Sequence, residues 1–320
     1  MENHPHALYA NPLSIQGIGD PFVLRAEDGL YYCYPTSAKD GYKAWRSADL
    51  CSWEPLDYVF RRKEGDWCQK TFWAPEVLEA KGKYYMYYTS RDGLGHLQIG
   101  VAIASAPSGP FEDIGAPILS GDFSMIDASP FMDEDGAAYL FFVRDCSENV
   151  VKGIHESHIY GVRMNGDLVS VAGEPALLTV PEQAWEAREG TDWRWNEGPF
   201  VRKREGLYYL QYSANHFASP AYALGVAVAK SPLGPYEKVA YNPVLSAVER
   251  DGKFLVSGPG HHSVIESPDG TESFAVYHAH TDPANPSGNR QVYIDRMGYH
   301  ADGTWFVGGP TLAPQPLPSG

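Results

Sequence analysis

Residues 19–37 read GDPFVLRAEDGLYYCYPTS, and this stretch decides the fold class. An apolar strand follows a polar turn, a second turn contains Gly29, and a Tyr-rich strand completes a β-hairpin pattern. The pattern recurs four more times along the chain. The copies are WAPEVLEAKGKYYMYYTS (73–90), DASPFMDEDGAAYLFFVR (127–144), NEGPFVRKREGLYYLQYSAN (196–215) and GHHSVIESPDGTESFAVYHAH (260–280). Five copies of one unit indicate a repeat architecture.

The spacing of the copies leaves room for four strands in each unit. The residues used for alignment are Pro21, Pro75, Pro130, Pro199 and Ser263, at intervals of 54, 55, 69 and 64 residues. A second, looser strand pair follows each hairpin, as in VAIASAPSGPFED (101–113) and VAVAKSPLGPYEK (226–238). Because radial packing leaves only short, protected edges, we expect an all-β fold, a five-bladed β-propeller of four-stranded antiparallel blades around a central channel.

The predicted propeller spans residues 1–320 as a single catalytic domain, with blades starting near residues 19, 73, 127, 196 and 260. A linear solenoid is the structural alternative. The sequence shows no atypical capping units, and the period is long for a solenoid.

Composition excludes some partners. A net charge of -15 and a sequence pI of about 5.1 argue against nucleic acid, which binds through cationic neutralisation. No apolar run is long enough to predict a membrane span, and MENHPHALYANPLS lacks the pattern of a secretory signal, so we expect a cytoplasmic protein. The cysteines lack metal-ligand spacing and are expected to be reduced thiols. Aromatic residues, 13% of the chain, suit both strands and sugar stacking.

Residues just before the first strand of each hairpin should line the mouth of the central channel. They are Asp20, Trp73, Asp127, Glu197 and His261, in blade order. Each alone is commonly a turn, core or solvated residue, and His261 with His262 is equally expected to be a structural pair. Because burying several like charges together is costly, their coincidence favours a functional site.

The ordered motifs GDPFV (19–23), WAPEV (73–77), IDASPF (126–131), NEGPF (196–200) and GPGHHSV (258–264) resemble glycoside hydrolase family 43. The resemblance extends from about Gly17 to Phe306. It implies that Asp20 is the general base, that Glu197 is the general acid, and that Asp127 orients the acid and tunes its pKa. It also implies a metal or water near His261, and a substrate-clamping arginine best matched by Arg290.

Inverting hydrolysis needs a carboxylate base and a carboxylic acid about 6.5–9.5 Å apart. Asp20 and Glu197 lie on non-adjacent blades of the predicted ring, which suits that separation. Trp73, with Phe72, should offer an apolar face to a pentose, while Arg290 bonds its hydroxyls. Because one imidazole is a poor direct shell for Ca²⁺, a structural Ca²⁺ near His261 is expected to be held mostly by water.

We therefore expect an inverting, exo-acting α-L-arabinofuranosidase that acts on short arabino- or xylo-oligosaccharides. The segment from Trp185 to Trp195 is expected to form a wall that closes the cleft. A β-xylosidase or an endo-arabinanase on the same fold remains open. So do a non-catalytic sugar-binding propeller and a transferase or phosphorolytic enzyme.

Overall fold

The computed structural model describes residues 7–187 and 190–320, and five antiparallel blades of four strands each form its framework. Blade 1 contains strands Gln16–Arg25, Tyr31–Thr36, Gly41–Ser47 and Glu54–Arg61. Blade 2 contains Lys70–Ala80, Lys83–Arg91, Leu97–Ala104 and Glu112–Asp113, and blade 3 contains Met125–Met132, Ala138–Arg144, His158–Met164 and Val171–Thr179. Blade 4 contains Asn196–Arg204, Leu207–Ala214, Ala223–Ala229 and Glu237–Lys238, and blade 5 contains Gly260–Glu266, Ser273–His280, Arg290–Tyr299 and Trp305–Val307.

Shorter elements lie between and beyond the blades. They are the paired strands Leu8–Tyr9 and Gln315–Pro316, the strands Val150–Val151, Ile154–Glu156 and Trp193–Arg194, the hairpin Val248–Arg250 with Lys253–Val256, and the 3₁₀ turn Ala184–Glu186. Among the described residues, no helix has both the length and the apolar character needed to cross a bilayer.

The hydrophobic core lies between the blades. Five clusters of buried side chains each join two neighbouring blades, and together they connect blades 1-2, 2-3, 3-4, 4-5 and 5-1. The second strand of each blade is covered on both faces, which is why it is a run of large apolar residues such as YYMYY at 84–88. The ring of interfaces confirms the predicted five-bladed propeller.

The ring is closed where the last blade meets the first. The first residues of the inner strand of blade 1 pair with blade 5, Gln16 opposite Gln291 and Ile18 opposite Arg290. The chain ends also meet, because Leu8 pairs with Pro316. The sheets of blades 1 and 5 are consequently continuous, whereas the sequence predicts five separate sheets.

Every inner strand contains a β-bulge at the same place. In each blade two residues of the inner strand stand opposite one residue of the second strand. The first bulge residue has a positive φ in all five blades. These residues are Asp20 (53°), Ala74 (39°), Asp127 (57°), Gly198 (56°) and His261 (47°). Because residues with a Cβ atom rarely adopt such φ values, the four positions that are not glycine are strained.

The bulge corrects the predicted register. The second bulge residues are Pro21, Pro75, Ala128, Pro199 and His262, so Pro130 and Ser263 are not equivalents of the other three prolines. Asp20, Asp127 and His261 are first bulge residues, whereas Trp73 and Glu197 are the residues just before the bulge. The predicted turn residues therefore occupy two adjacent positions within the inner strands.

Candidate active site

One cavity of about 220 Å³ opens where the five bulges converge. Six of the seven residues selected from the sequence line it, namely Asp20, Trp73, Asp127, Glu197, His261 and Arg290. The remaining lining residues were not selected as site residues: Ile126, Asp145, Trp195, His216 and Phe217. Four acidic side chains from blades 1, 3 and 4, Asp20, Asp127, Asp145 and Glu197, thus line one cavity, although these blades are far apart in sequence.

A closed ring of hydrogen bonds joins the bulges. Each first bulge residue donates its backbone N–H to a side chain of the preceding blade. The donor-acceptor pairs are Ala74 to Thr36, Asp127 to Thr89, Gly198 to Asp127, His261 to Ser213 and Asp20 to His278, at 2.8–3.1 Å. Four acceptors lie opposite the residue before the bulge. In blade 3 that position is Val143, and the Asp127 carboxylate accepts instead.

Asp20 is held as a carboxylate. Its Oδ1 lies 2.8 Å from Nη1 of Arg290 and 3.3 Å from Nδ1 of His261, and its Oδ2 accepts a 2.7 Å bond from the Thr36 hydroxyl. Burial alone raises the pKa of Asp20, but the Arg290 guanidinium, followed by the adjacent imidazoles and the Thr36 hydroxyl, outweighs it and holds that pKa well below its usual range. The carboxylate is therefore ionised at neutral pH.

His278 supports Asp20 from blade 5. Its Nδ1 accepts the Asp20 backbone N–H at 3.1 Å, so this nitrogen carries no proton. Burial, and then the Arg290 charge, lower the pKa of His278 well below its usual value. The 3.5 Å separation between His278 Nδ1 and Asp20 Oδ1 is therefore not a salt bridge.

Gly19 gives Arg290 its access to Asp20. A Cβ at position 19 would stand 2.0 Å from Nη2 of Arg290. A larger residue at position 19 would therefore collide with the guanidinium that pairs with Asp20. The same guanidinium lies over the Phe217 ring, 4.9 Å from its centroid.

Asp127 and Glu197 lie on neighbouring blades and perturb each other. Asp127 Oδ2 accepts the Gly198 N–H at 2.9 Å, and Glu197 Oε1 accepts the Tyr222 hydroxyl at 2.9 Å. Burial raises the pKa of Asp127 to about 6. Burial, and then the Asp127 charge, raise the pKa of Glu197 well above its usual value. Both effects favour the protonated form of Glu197.

Trp73 and Phe72 are separated by the alternation of the strand. Trp73 lines the cavity and is 39% exposed. Phe72 is 1% exposed and packs between blades 1 and 2 against Tyr42, Phe60 and Tyr88. The expected contact between Phe72 and sugar is therefore wrong, because its neighbour takes the cavity side.

The segment that precedes blade 4 contributes one wall residue, as expected in part. Trp195 lines the cavity, whereas Trp185 packs outside it, on Tyr212. Arg188 and Glu189 of the predicted wall lie outside the described residues.

Residues that sequence reasoning missed come mostly from second strands, third strands and loops. They include Tyr222 and Phe217 on the segment 215–223, His278 on the second strand of blade 5, and Asp145 after the second strand of blade 3. Only Asp145 offered a usable signal, an acid that directly follows the buried run FFVR.

The donor set does not fit a directly ligated Ca²⁺. Across the described ranges, no three His, Cys, Asp or Glu residues are grouped so as to hold a metal. His261 Nδ1 lies beside Asp20 and would be a single nitrogen ligand, whereas Ca²⁺ takes six to eight oxygen ligands. The mostly water-coordinated ion expected near His261 stays a prediction, and no chemical step is derived through it.

Comparisons with known proteins match nearly the whole chain to one family. The family model described as Glycosyl hydrolases family 43 matches residues 9–305. A solved thermostable family-43 glycoside hydrolase superposes with a TM-score of 0.93 at 48% identity, covering 98% of this chain and 99% of that one.

Three curated relatives differ in their named activities. A beta-D-galactofuranosidase of Aspergillus niger is 28% identical over 92% of this chain and 83% of its own length. A beta-xylosidase of Xylanibacter ruminicola is 31% identical over 76% of this chain and 87% of its own. An extracellular exo-alpha-(1->5)-L-arabinofuranosidase of Streptomyces avermitilis is 26% identical over 94% of this chain and 63% of its own.

Proposed function

The chain belongs to glycosyl hydrolases family 43 and is a glycoside hydrolase, and from that premise we propose an inverting, exo-acting enzyme that releases terminal α-L-arabinofuranose from short oligosaccharides. One observation carries the proposal: Asp20, Asp127 and Glu197, from three blades, line one cavity of about 220 Å³. Arg290 holds the pKa of Asp20 low, whereas burial raises the pKa of Glu197. A cavity this small suits one terminal sugar ring better than an internal stretch of polymer.

Asp20 acts as the general base. Its ionised carboxylate accepts a proton from the attacking water, whose oxygen then bonds to the anomeric carbon. Arg290 and Thr36 fix the orientation of the carboxylate through both of its oxygens. His278 fixes the backbone beneath it.

Glu197 acts as the general acid. It transfers its proton to the glycosidic oxygen as the bond to the anomeric carbon breaks, and the leaving sugar departs as an alcohol. Burial, and then the Asp127 charge, raise the pKa of Glu197 and so favour its protonated form until that step. Since blades 1 and 4 are not neighbours, base and acid approach the sugar from different sides, as inversion requires.

The cavity walls favour a small, flat ring. Trp73 and Trp195 present aromatic surfaces, and Phe217 covers the Arg290 guanidinium. The remaining guanidinium N–H groups are the donors for sugar hydroxyls. The relatives are named for arabinofuranose, xylose and galactofuranose. β-Xylosidase and galactofuranosidase activities are therefore the alternatives against which the sugar assignment is tested. An endo-arabinanase is the further alternative, and it calls for a cleft open at both ends.

Two alternatives keep the fold and change the chemistry. A non-catalytic sugar-binding propeller needs the aromatic walls but gains nothing from three clustered acids, whose burial is costly. A phosphorolytic enzyme needs cations for phosphate, whereas the cationic side chain that lines the cavity, Arg290, is paired with Asp20.

The test measures release of 4-nitrophenol from the α-L-arabinofuranoside, β-D-xylopyranoside and β-D-galactofuranoside. Asp20→Ala and Glu197→Ala are each expected to lose at least about 100-fold in kcat/KM on the preferred substrate. Asp135→Ala, at an exposed turn of blade 3, is the matched control and should retain activity. NMR of the first-formed sugar should show the inverted anomer. Full activity in either active-site variant, or a retained anomer, would overturn the assigned roles.

A further inference from the structure

A buried ion pair lies directly behind the general acid, outside the cavity. Lys238 Nζ contacts both carboxylate oxygens of Glu186 at 2.6 and 2.8 Å, and the two side chains are 2% and 0% exposed. Glu186 Oε1 also accepts the Tyr212 hydroxyl at 2.7 Å, and Oε2 accepts the backbone N–H groups of Glu182 and Gln183, just before the 3₁₀ turn. A pair so enclosed and so fully bonded holds one geometry.

Asn196 connects this ion pair to the active site. Its Oδ1 accepts a 2.8 Å bond from Lys238, and its Nδ2 donates to Glu186 Oε1 at 3.2 Å and to the Trp195 carbonyl at 2.9 Å. Asn196 is 0% exposed and directly precedes Glu197. The side-chain amide therefore fixes the backbone at the wall residue Trp195, and the ion pair holds Asn196 itself, the residue directly before the acid.

The propeller register shows that this amide is a special feature of blade 4. Asn196 stands two residues before the first bulge residue. The same position in blades 1, 2, 3 and 5 is occupied by Ile18, Phe72, Met125 and Pro259, all apolar and buried. Blade 4 supplies the proposed general acid just before its bulge. It is also the blade with a polar residue at the position of Asn196.

We propose that Asn196, held by the Lys238–Glu186 pair, is a positioning residue that fixes Glu197 for proton donation to the leaving oxygen. The inference rests on the proposed function, because it assigns a support to the general acid named there. Tyr222 is the side-chain hydrogen-bond partner of the Glu197 carboxyl among the described residues. A single such bond leaves the carboxyl dependent on its backbone for direction.

A purely structural role would anchor the segment before blade 4 without affecting proton transfer. The two roles differ in their dependence on the leaving group. A good leaving group, such as that of a 2,4-dinitrophenyl glycoside, departs without being protonated. The leaving group of a phenyl glycoside must receive a proton as it departs. Loss of acid positioning therefore slows the phenyl glycoside and spares the dinitrophenyl glycoside.

The experiment compares kcat/KM on these two glycosides of the preferred pentose. Asn196→Met, which introduces the residue that blade 3 has at this position, is expected to lose about 10- to 100-fold on the phenyl glycoside and less than about threefold on the dinitrophenyl glycoside. If that variant fails to fold, the double variant Lys238→Met/Glu186→Leu removes the contacts of Asn196 with the ion pair without leaving an unpaired charge. The same pattern is expected from it.

Two reference variants separate the possible failures. Glu197→Ala should show the largest leaving-group dependence, and its absence would overturn the proposed general acid itself. Asp113→Asn alters the corresponding position of blade 2 and should affect both substrates equally. Equal losses on both substrates in the Asn196→Met and double variants, with Glu197→Ala behaving as expected, would overturn only the positioning role.

Discussion

Blades 2 and 4 share one packing arrangement outside the cavity and differ in the charges that complete it. In each, a tryptophan that precedes the inner strand packs on a tyrosine of the second strand and covers a glycine of the third. The members are Trp67, Tyr88 and Gly100 in blade 2, and Trp185, Tyr212 and Gly225 in blade 4. A Cβ on either glycine would stand 2.5 or 2.7 Å from the indole, so both positions exclude larger residues.

The outer strands complete the arrangement with opposite charges. Asp113 of blade 2 accepts bonds from Tyr88 and from the indole of Trp67. Lys238 occupies the equivalent position in blade 4, where it cannot accept, and the segment before the strand supplies Glu186 as its partner. The same packing arrangement therefore supports Trp73, the proposed sugar platform, in blade 2 and the acid Glu197 in blade 4. The ion pair is the difference that accompanies the acid.

The largest expected effect comes from breaking that ion pair. Lys238→Met leaves the Glu186 carboxylate buried and unpaired, and should lower the free energy of unfolding by about 3–5 kcal/mol. Asp113→Asn, the control at the equivalent position of blade 2, keeps an acceptor and should cost about 1–2 kcal/mol. Urea denaturation measures both. Equal losses would show that the two blades use their outer strands in the same way.

Asp127 lies between the two compared blades, because its N–H donates to Thr89 of blade 2 and its carboxylate accepts from Gly198 of blade 4. Asp127→Asn removes the negative charge beside Glu197, so the pKa of Glu197 should fall. The basic limb of the kcat/KM profile is expected to move down by about one pH unit. A pH profile of the variant against the parent measures the shift, and an unchanged basic limb would contradict the tuning role.

The same substitution has a stability consequence with a definite sign. The pKa of Asp127 is raised from 3.8 to about 6, so the folded state binds this proton more tightly than the unfolded state does. The resulting stabilisation is present at low pH and is lost as the pH rises through about 6. Thermal unfolding at pH 4 and pH 7 should therefore show Asp127→Asn gaining a few degrees relative to the parent at the higher pH.

The fold was predictable because the propeller repeats a local pattern. Hairpin signatures and period-2 strands depend on neighbouring residues, and the five copies could be compared with one another. The exact register was not predictable, because a bulge inserts one extra residue into a strand and no sequence pattern identifies that residue. Pro130 looks like the other prolines but stands two residues after the second bulge residue, Ala128.

The site was predictable only as far as the inner strands supply it. Asp20, Asp127 and Glu197 sit at or beside the bulge, so the repeat itself located them. Tyr222 comes from the loop before the third strand of blade 4 and His278 from the second strand of blade 5, so both depend on how these blades pack, which no local pattern encodes. The prediction that Phe72 contacts sugar was wrong for a simpler reason, because adjacent residues of a strand face opposite sides.

The smallest expected effect compares the two residues that precede the bulge, Trp73 in blade 2 and Glu197 in blade 4. Trp73 is the more exposed, at 39%, and its proposed contact with sugar is through the apolar face of the indole. Trp73→Leu should therefore raise KM about threefold to tenfold and affect phenyl and dinitrophenyl glycosides equally, because ring stacking does not take part in proton transfer. Steady-state kinetics on both substrates provide the check. A leaving-group dependence in this variant would mean that blade 2 also contributes to acid catalysis, and the contrast between the two blades would no longer hold.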